Sequence, residues 1–185
     1  MIGVTEMRRG VTVEIDGNLW RVLEYEHYKP GRGNAIIRTK LRNLRTGATI
    51  SRNFTSGERV QDVRLDHRNV QYLYNDGDLY TFMDVDTFEQ PSISKSVIED
   101  KLPYLKEGIT LEFEEYEGEP IDIELPITVD LEVVDTPPGY AGDTATAASK
   151  DAICETGLKL QVPLFVKTGD VIRVDTRTGT YQTRV

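Results

Sequence analysis

Residues 29 to 34 read Lys29-Pro30-Gly31-Arg32-Gly33-Asn34, a turn between two segments of alternating apolar and polar residues. Pro30 fixes its own φ and pushes the preceding residue toward an extended conformation. The glycines on either side of Arg32 lack a side chain that would hold a neighbouring surface away. The stretch therefore predicts a β-hairpin whose tip presents one guanidinium group, which can donate to phosphate in pairs and stack on bases. Taken alone, the turn fits a solvated hairpin with an incidental arginine even better.

Short alternating segments separated by tight turns extend over the whole chain and predict an all-β protein. Residues 1–64 predict a small barrel of the SH3-like kind, and residues 65–128 a five-stranded OB-fold barrel with one short helix. Residues 129–185 predict a second OB-fold barrel, with strands at 129–133, 158–162, 171–174 and 181–184. Units of this size bury only about 60 % of their unfolded surface, so we expect the first two barrels to pack against each other.

The net charge of −9 argues at first against a nucleic-acid partner, but the charges are unevenly distributed. Residues 1–65 contain 12 basic and 7 acidic side chains, whereas residues 66–128 contain 4 and 16, and residues 129–185 contain 6 and 8. Salt screens charges over about 8 Å. The N-terminal unit can therefore attract phosphate if the acidic unit is farther away than that, with the acidic unit away from RNA or facing a basic protein.

Basic residues also recur along the strand that returns from the turn. A period of two places Arg38, Lys40 and Arg42 on one face of this strand, opposite Ile37 and Leu41. The uniform sign of these charges favours an anionic partner over an ordinary polar face, and we expect the stripe to contact RNA phosphates.

The remaining composition points to a cytoplasmic protein. Cys154 is the single cysteine and cannot form an internal disulfide. The first residues have no basic start followed by a long apolar stretch, and no apolar run approaches the ~20 residues needed to span a bilayer. We expect no membrane association.

Two other classes of function compete with the binding of RNA phosphates. A generic OB-type binder of single-stranded RNA needs exposed stacking rings, and Tyr72, Tyr74, Tyr80 and Phe82 are the candidates. Alternation places about half of them in a core, and their surroundings are the most acidic part of the chain. This interpretation is therefore weaker.

An acid–base hydrolase could use a cluster of carboxylates in the central unit: Glu112, Glu114, Glu115, Glu117 and Glu119. Paired carboxylates do such work only when burial separates their pKa values, and these residues read as a solvated face. We predict no metal site, because His27 and His67 lie far apart and Cys154 has no partner at ligand spacing.

Several motifs in the C-terminal unit closely resemble the signature of bacterial elongation factor P. The matching residues are Lys150-Asp151-Ala152, Gly157, Leu160, Val162-Pro163, Val166, Gly169-Asp170, the triplet Gly142-Asp143-Thr144 and the ending Tyr181 to Arg184. The turn at residues 29–34 resembles the functional loop of the same family. The resemblance extends over essentially the whole chain, in order and without large gaps.

The resemblance implies a fold of three barrels, one SH3-like and two of the OB type, arranged as an L that is similar to transfer RNA. It implies a monomer without an active site of its own that binds both ribosomal subunits between the peptidyl and exit sites. Such a protein would stabilise peptidyl-tRNA and promote peptide bond formation at consecutive prolines.

The resemblance also assigns roles to residues. Arg32 would reach the CCA end of the peptidyl-site tRNA, supported by the other five residues of its loop. Asp143 and Thr144, next to Gly142, would approach the exit-site codon of the messenger, and Tyr181 and Arg184 would touch ribosomal RNA.

The tip residue is where this chain departs from many family members, which have a lysine extended by a β-lysyl group. Other members have a tip arginine that an enzyme modifies with rhamnose, and some act unmodified. The sequence supplies the acceptor, Arg32, and leaves both the rhamnosylated and the bare state open. No cofactor is expected.

Overall fold

The computed structural model describes residues 1–140 and 148–185 of the chain. Within them, β-strands dominate and form three antiparallel sheets that follow one another along the chain. The described residues include no helix that is both long and apolar enough to cross a bilayer. The predicted all-β architecture of three small units is confirmed.

The N-terminal unit is a six-stranded sheet in the order β1-β6-β2-β3-β4-β5. Its strands are β1 (Ile2–Gly3), β2 (Thr12–Ile15), β3 (Asn18–Tyr28), β4 (Ile36–Asn43), β5 (Thr49–Thr55) and β6 (Arg59–Asp62), with a 3₁₀ helix at Val4–Glu6. Asp16 and Gly17 both have positive φ and form the two-residue turn between β2 and β3, as this type of hairpin requires. Val13, Ile37 and Phe54 are among the buried residues of the core.

The central unit is a five-stranded sheet in the order β11-β10-β7-β8-β9. Its elements are β7 (Asp66–Asp76), β8 (Leu79–Asp84), β9 (Ser92–Ser94), α1 (Lys95–Ile98), a 3₁₀ helix (Glu99–Tyr104), β10 (Thr110–Tyr116) and β11 (Glu119–Glu124). An aromatic cluster fills the core, where the Phe82 ring lies 5.4 Å from both the Tyr72 and the Phe113 ring centroids.

The C-terminal unit is a five-stranded sheet in the order β14-β13-β12-β15-β16. Its strands are β12 (Thr128–Asp135), β13 (Ser149–Cys154), β14 (Lys159–Pro163), β15 (Val171–Asp175) and β16 (Thr180–Arg184). The sequence analysis missed β13 because its first residues continue a run of small polar side chains. Ala152 and Cys154 are buried, and they contribute the inner face of this strand.

The first two units pack against each other, as predicted. Leu19 and Leu44 of the N-terminal unit form a small buried cluster with Ile121 of the central unit. Beside it, Arg21 donates to Asp122 at 2.8 Å and also to Glu114. These two carboxylates retain only 7 % and 8 % of their side-chain exposure, so the ion pairs belong to the interior of the interface.

Two further arginines widen this interface. Arg42 forms two hydrogen bonds with Asp100, at 3.0 and 3.2 Å, and Arg45 forms two with Glu119, at 3.2 and 3.1 Å. The expectation that the acidic unit lies beyond the screening length is therefore wrong. Its carboxylates directly contact the basic unit, and the paired hydrogen bonds of a guanidinium with a carboxylate make these contacts specific in geometry.

The central and C-terminal units meet over a smaller surface. Thr156 donates its hydroxyl to the carbonyl of Pro103, and Lys106 forms an ion pair with Glu155 at 2.9 Å. Gly179 lies so close to Tyr104 that an added Cβ would be 2.8 Å from the phenolic oxygen. A larger residue at position 179 would displace the Tyr104 side chain and would also strain the backbone, whose φ is +72° there.

We expect Arg21→Met to lower the free energy of unfolding by about 3 kcal/mol, because it leaves Glu114 buried without its partner. The matched control is Arg52→Met, since Arg52 pairs at 3.4 Å with Asp16, whose side chain is 84 % exposed. This control should cost less than about 1 kcal/mol. Equilibrium urea unfolding measures both variants, and equal losses would contradict the buried role of Arg21.

Candidate nucleic-acid interface

The turn at residues 29–34 is the tip of an arm formed by β3 and β4. The two strands stay paired up to Tyr28 and Ile36, and β5 supports β4 to the same level through Thr55. Arg32 is exposed, as are its neighbours in the loop apart from the half-buried Pro30. The tip of the arm therefore presents one arginine to solvent, as the sequence predicted.

The two glycines beside Arg32 differ in what the chain itself demands of them. Gly33 has a φ of +119°, which disfavours any side chain, whereas Gly31 has no positive φ. A Cβ added at either position would meet no atom within 4 Å. The fold thus requires glycine at position 33 for its backbone angle, and nothing within the chain requires it at position 31.

Arg38 and Lys40 lie on the outer face of β4, with the buried Ile37, Thr39 and Leu41 on the inner face. Each faces a glutamate across the strand pair: Lys40 is 3.4 Å from Glu24, and Arg38 is 3.8 Å from Glu26. Both basic side chains stay about half exposed, and ion pairs of this kind contribute little. Their cationic groups can therefore exchange these partners for phosphate.

Aromatic and apolar surface accompanies these charges. The Arg38 guanidinium lies over the ring of Tyr28, 4.5 Å from its centroid, and Tyr28 is 43 % exposed. A groove of about 420 Å³ runs along the same face between β3, β4 and β5. The outer face of the arm thus combines cations with a stacking ring near the tip.

Arg42 is not part of the open basic stripe that the sequence predicted. It lies on the same strand face as Arg38, but it donates to Asp100 and to the carbonyl of Val97 in the central unit. The hydrogen bond to Asp100 raises the pKa of Arg42, so the contact stabilises the charged guanidinium. The structure places Arg42 in the joint between two units rather than on the open face.

The glutamates in and just after β10 do not all form the solvated face that the sequence predicted. Glu112, Glu117 and Glu119 are exposed, but Glu114 and Glu115 are 6 % and 8 % exposed. Glu115 follows Leu111 and Phe113 on the inner face of β10. Glu114 follows the exposed Glu112 on the outer face, and it is buried because the N-terminal unit covers it through Arg21. Each of the two is bound to an arginine, Glu114 to Arg21 and Glu115 to Arg68, which makes them structural ion pairs.

Arg68 holds a second carboxylate of the central unit. It donates from Nε to Asp84 at 2.7 Å. Backbone amides of Thr87 and Asp86, together with this arginine, lower the pKa of Asp84 to about 2. Asp84 is thus stabilised in the ionised form and is unsuited to general acid chemistry.

One group among the described residues could hold a metal ion. His67, Glu114 and Glu124 offer ligand atoms within 4.8 Å of one another. The sequence analysis did not find it because His67 and Glu114 are neighbours across β7 and β10. Arg21 already binds Glu114, which competes with any cation. Cys154 is no better a ligand, since burial raises the pKa of its thiol to about 11.

The four aromatic residues considered for single-stranded RNA mostly build the core of the central unit. Tyr72 and Phe82 are 3 % and 0 % exposed, and Tyr80 packs against the same cluster. Only Tyr74 has half of its surface exposed. Of the four candidate rings, one is thus available for stacking.

Tyr181 and Arg184 share one face of β16, although simple alternation would separate them. A bulge opposite Arg173 and Val174 shifts the register, so that Tyr181 pairs with Val174 and Arg184 with Ile172. Tyr181 packs partly against the core, and Arg184 lies over the Phe165 ring at 5.1 Å. Phe165, which the sequence analysis did not single out, is 54 % exposed. The triplet Gly142-Asp143-Thr144 lies outside the described residues.

Three family models match the chain in order. The model described as "Elongation factor P (EF-P) KOW-like domain" matches residues 3–60, "Elongation factor P (EF-P) OB domain" matches residues 65–123, and "Elongation factor P, C-terminal" matches residues 129–184. The matched segments coincide with the three sheets of the structure.

Two curated relatives span the chain. Elongation factor P of Moorella thermoacetica is 53 % identical over 181 residues, which cover 98 % of each protein. Elongation factor P of Thermoanaerobacter sp. is 48 % identical over 185 residues, which cover both proteins completely. These relatives have the name of a translation factor rather than of an enzyme.

Among solved structures, the chain is similar to a eukaryotic translation initiation factor 5A from Methanococcus jannaschii. The TM-score is 0.52 at 25 % sequence identity, and the match covers 67 % of this chain and 91 % of the other. A KOW-like domain, an OB domain and a C-terminal domain in this order define a three-domain translation factor. The chain belongs to the elongation factor P family and is a translation elongation factor.

Proposed function

We propose that this protein binds the ribosome between the peptidyl and exit sites, stabilises peptidyl-tRNA and promotes peptide bond formation at consecutive prolines. The observation that supports this most is the arm formed by β3 and β4, which presents Arg32 alone at its exposed tip. In this proposal the protein acts in the cytoplasm as a monomer, with its three units in an L-shaped arrangement similar to tRNA.

The chemistry fits a protein without a catalytic group of its own. The nitrogen of proline is a constrained secondary amine and a poor acceptor in peptide transfer, so a stalled peptidyl-tRNA samples unproductive geometries. A rigid arm that holds the CCA end reduces this sampling and recovers activation entropy, which orientation alone can supply. The ribosome performs the reaction, and Arg32 contacts the CCA end.

The RNA contacts follow from the charges left free on the surface. Arg38 and Lys40 have only weak partners on the arm, so the proposal assigns them to tRNA or ribosomal RNA phosphates, which position a protein without reading sequence. Arg42 is not among these contacts. Asp143 and Thr144, with Gly142, are proposed to contact the exit-site codon of the messenger on the small subunit, and Tyr181 and Arg184 to contact ribosomal RNA.

A reconstituted translation assay on a message encoding consecutive prolines tests the proposal. The parent protein should accelerate synthesis through the proline run, and Arg32→Ala should abolish the acceleration, because the contact at the CCA end is lost. Arg9→Ala is the matched control, since Arg9 is an exposed arginine of the same unit away from the tip. Failure of the parent to accelerate translation on ribosomes from its own host would refute the function.

The variant Gly31→Ala distinguishes between two hypotheses: that the tip enters a narrow site, and that it remains in solvent. Because a Cβ at position 31 meets no atom of the chain within 4 Å, the variant should unfold at the same urea concentration as the parent. It should nevertheless lose acceleration at consecutive prolines, because the added methyl meets the ribosome or the tRNA. Full acceleration by this variant would show that no surface approaches Gly31 closely.

Modification of Arg32 is a separate proposal. The tip is exposed, so an arginine-modifying enzyme has access to the guanidinium, and a rhamnosyl group there would extend the arm toward the tRNA. Intact-mass measurement on protein from its native host should give a mass above the 20.9 kDa of the bare chain by one deoxyhexose residue. The bare mass would refute the modification and leave the rescue proposal standing.

A further inference from the structure

A groove of about 610 Å³ opens on the C-terminal unit, between the segment after β12, the segment after β14 and the end of β16. Its lining combines apolar surface with three basic side chains. The described lining residues are Thr136, Pro137, Pro138, Gly139, Lys150, Leu164, Phe165, Lys167, Thr168 and Arg184. This groove is distinct from the arm and lies at the opposite end of the chain sequence.

An exposed ring and a guanidinium form one wall of the groove. Phe165 is 54 % exposed, and the Arg184 guanidinium carbon lies 5.1 Å from its ring centroid. Phenylalanine at this exposure has no role in the core, whose buried members are other residues. The ring and the guanidinium together offer flat surfaces on which a planar ligand can stack.

The charge of the groove selects an anionic ligand. Lys150, Lys167 and Arg184 line it, and no carboxylate appears among its described lining residues. The nearest acidic partner is Asp170, which is 3.7 Å from Arg184 and accepts the backbone amide of Lys167. Lys150 donates to the carbonyl of Pro137 at 2.6 Å. Among the described lining residues, the charged groups are therefore all cationic.

The shape of the groove depends on one close approach. A Cβ on Gly139 would lie 2.2 Å from the carbonyl oxygen of Leu164, so only glycine allows these two segments to come together. Two walls of the groove are thus in backbone contact, directly beside the residue that precedes Phe165.

We propose that this groove binds an unpaired nucleotide of ribosomal RNA, whose base stacks on Phe165 and Arg184 and whose phosphate lies near Lys150 and Lys167. Aromatic stacking beside basic side chains is the usual mode of binding single-stranded nucleic acid without strong sequence preference. The assignment to ribosomal RNA rests on the proposed function, which places Tyr181 and Arg184 against that RNA. Binding of a nucleotide in the groove itself does not depend on it.

The first experiment uses the full chain in solution. Titration of the isotope-labelled protein with a four-nucleotide RNA should shift the NMR signals of Phe165, Lys167 and Arg184. Phe165→Ala should weaken this binding about tenfold, within the range that loss of one stacked base gives. Phe165→Leu keeps apolar bulk but no ring and should weaken binding similarly.

Phe88→Ala is the matched control, because Phe88 is 68 % exposed but lies in the acidic central unit. This variant should bind the RNA as the parent does. Inorganic pyrophosphate, a phosphate ligand without a base, should bind the parent and Phe165→Ala equally. Absence of RNA binding in the groove, or an RNA affinity that is insensitive to loss of the ring, would overturn the proposal.

The second experiment tests the source of the nucleotide. With p-azidophenylalanine in place of Phe165, irradiation of the ribosome-bound protein should yield a crosslink to ribosomal RNA. A crosslink only to messenger RNA or to protein would overturn that assignment. If the parent fails to accelerate translation but still binds the four-nucleotide RNA through Phe165, the proposed function falls and the nucleotide site stands.

Discussion

The position of Arg21 between Glu114 and Asp122 is the constraint on which the rest of this structure depends. The guanidinium extends from β3, the first strand of the arm, and ends between two buried carboxylates of the central unit. Loss of one partner of an ion pair desolvated to this degree leaves charge stranded in the interface. Because Arg21 and the tip belong to one hairpin, this joint also fixes where Arg32 points relative to the central unit.

The same joint changes how the net charge of −9 is distributed. Acidic side chains of the central unit bind Arg21, Arg42 and Arg45, and each pair neutralises one negative and one positive charge without changing the net charge. Exposed cations remain on the arm and in the C-terminal groove, as well as elsewhere, for example at Arg9. The proposals put RNA at the arm and the groove because cations lie there beside the exposed rings of Tyr28 and Phe165.

Much of the fold follows from local sequence. Turns with glycine at a positive φ, such as Asp16-Gly17 and Glu117-Gly118, separate alternating segments and predicted the hairpins. The exposed tip at Arg32 and the outward direction of Arg38 and Lys40 also follow from pattern. What the sequence analysis missed depends on tertiary structure. Glu114 alternates with the exposed Glu112 but is buried because the N-terminal unit packs on it through Arg21. No local signal tells which arginine meets a carboxylate 58 residues away, as Arg42 does.

The central claim is that a rigid arm delivers Arg32 to the end of a tRNA held by another machine. Cryo-EM of ribosomes stalled at consecutive prolines, with this protein bound, tests it most directly. The account predicts the guanidinium of Arg32 within hydrogen-bonding distance of the CCA end of the peptidyl-site tRNA, with the joint at Arg21 unchanged. A bound complex in which residue 32 points into solvent or toward protein would contradict it.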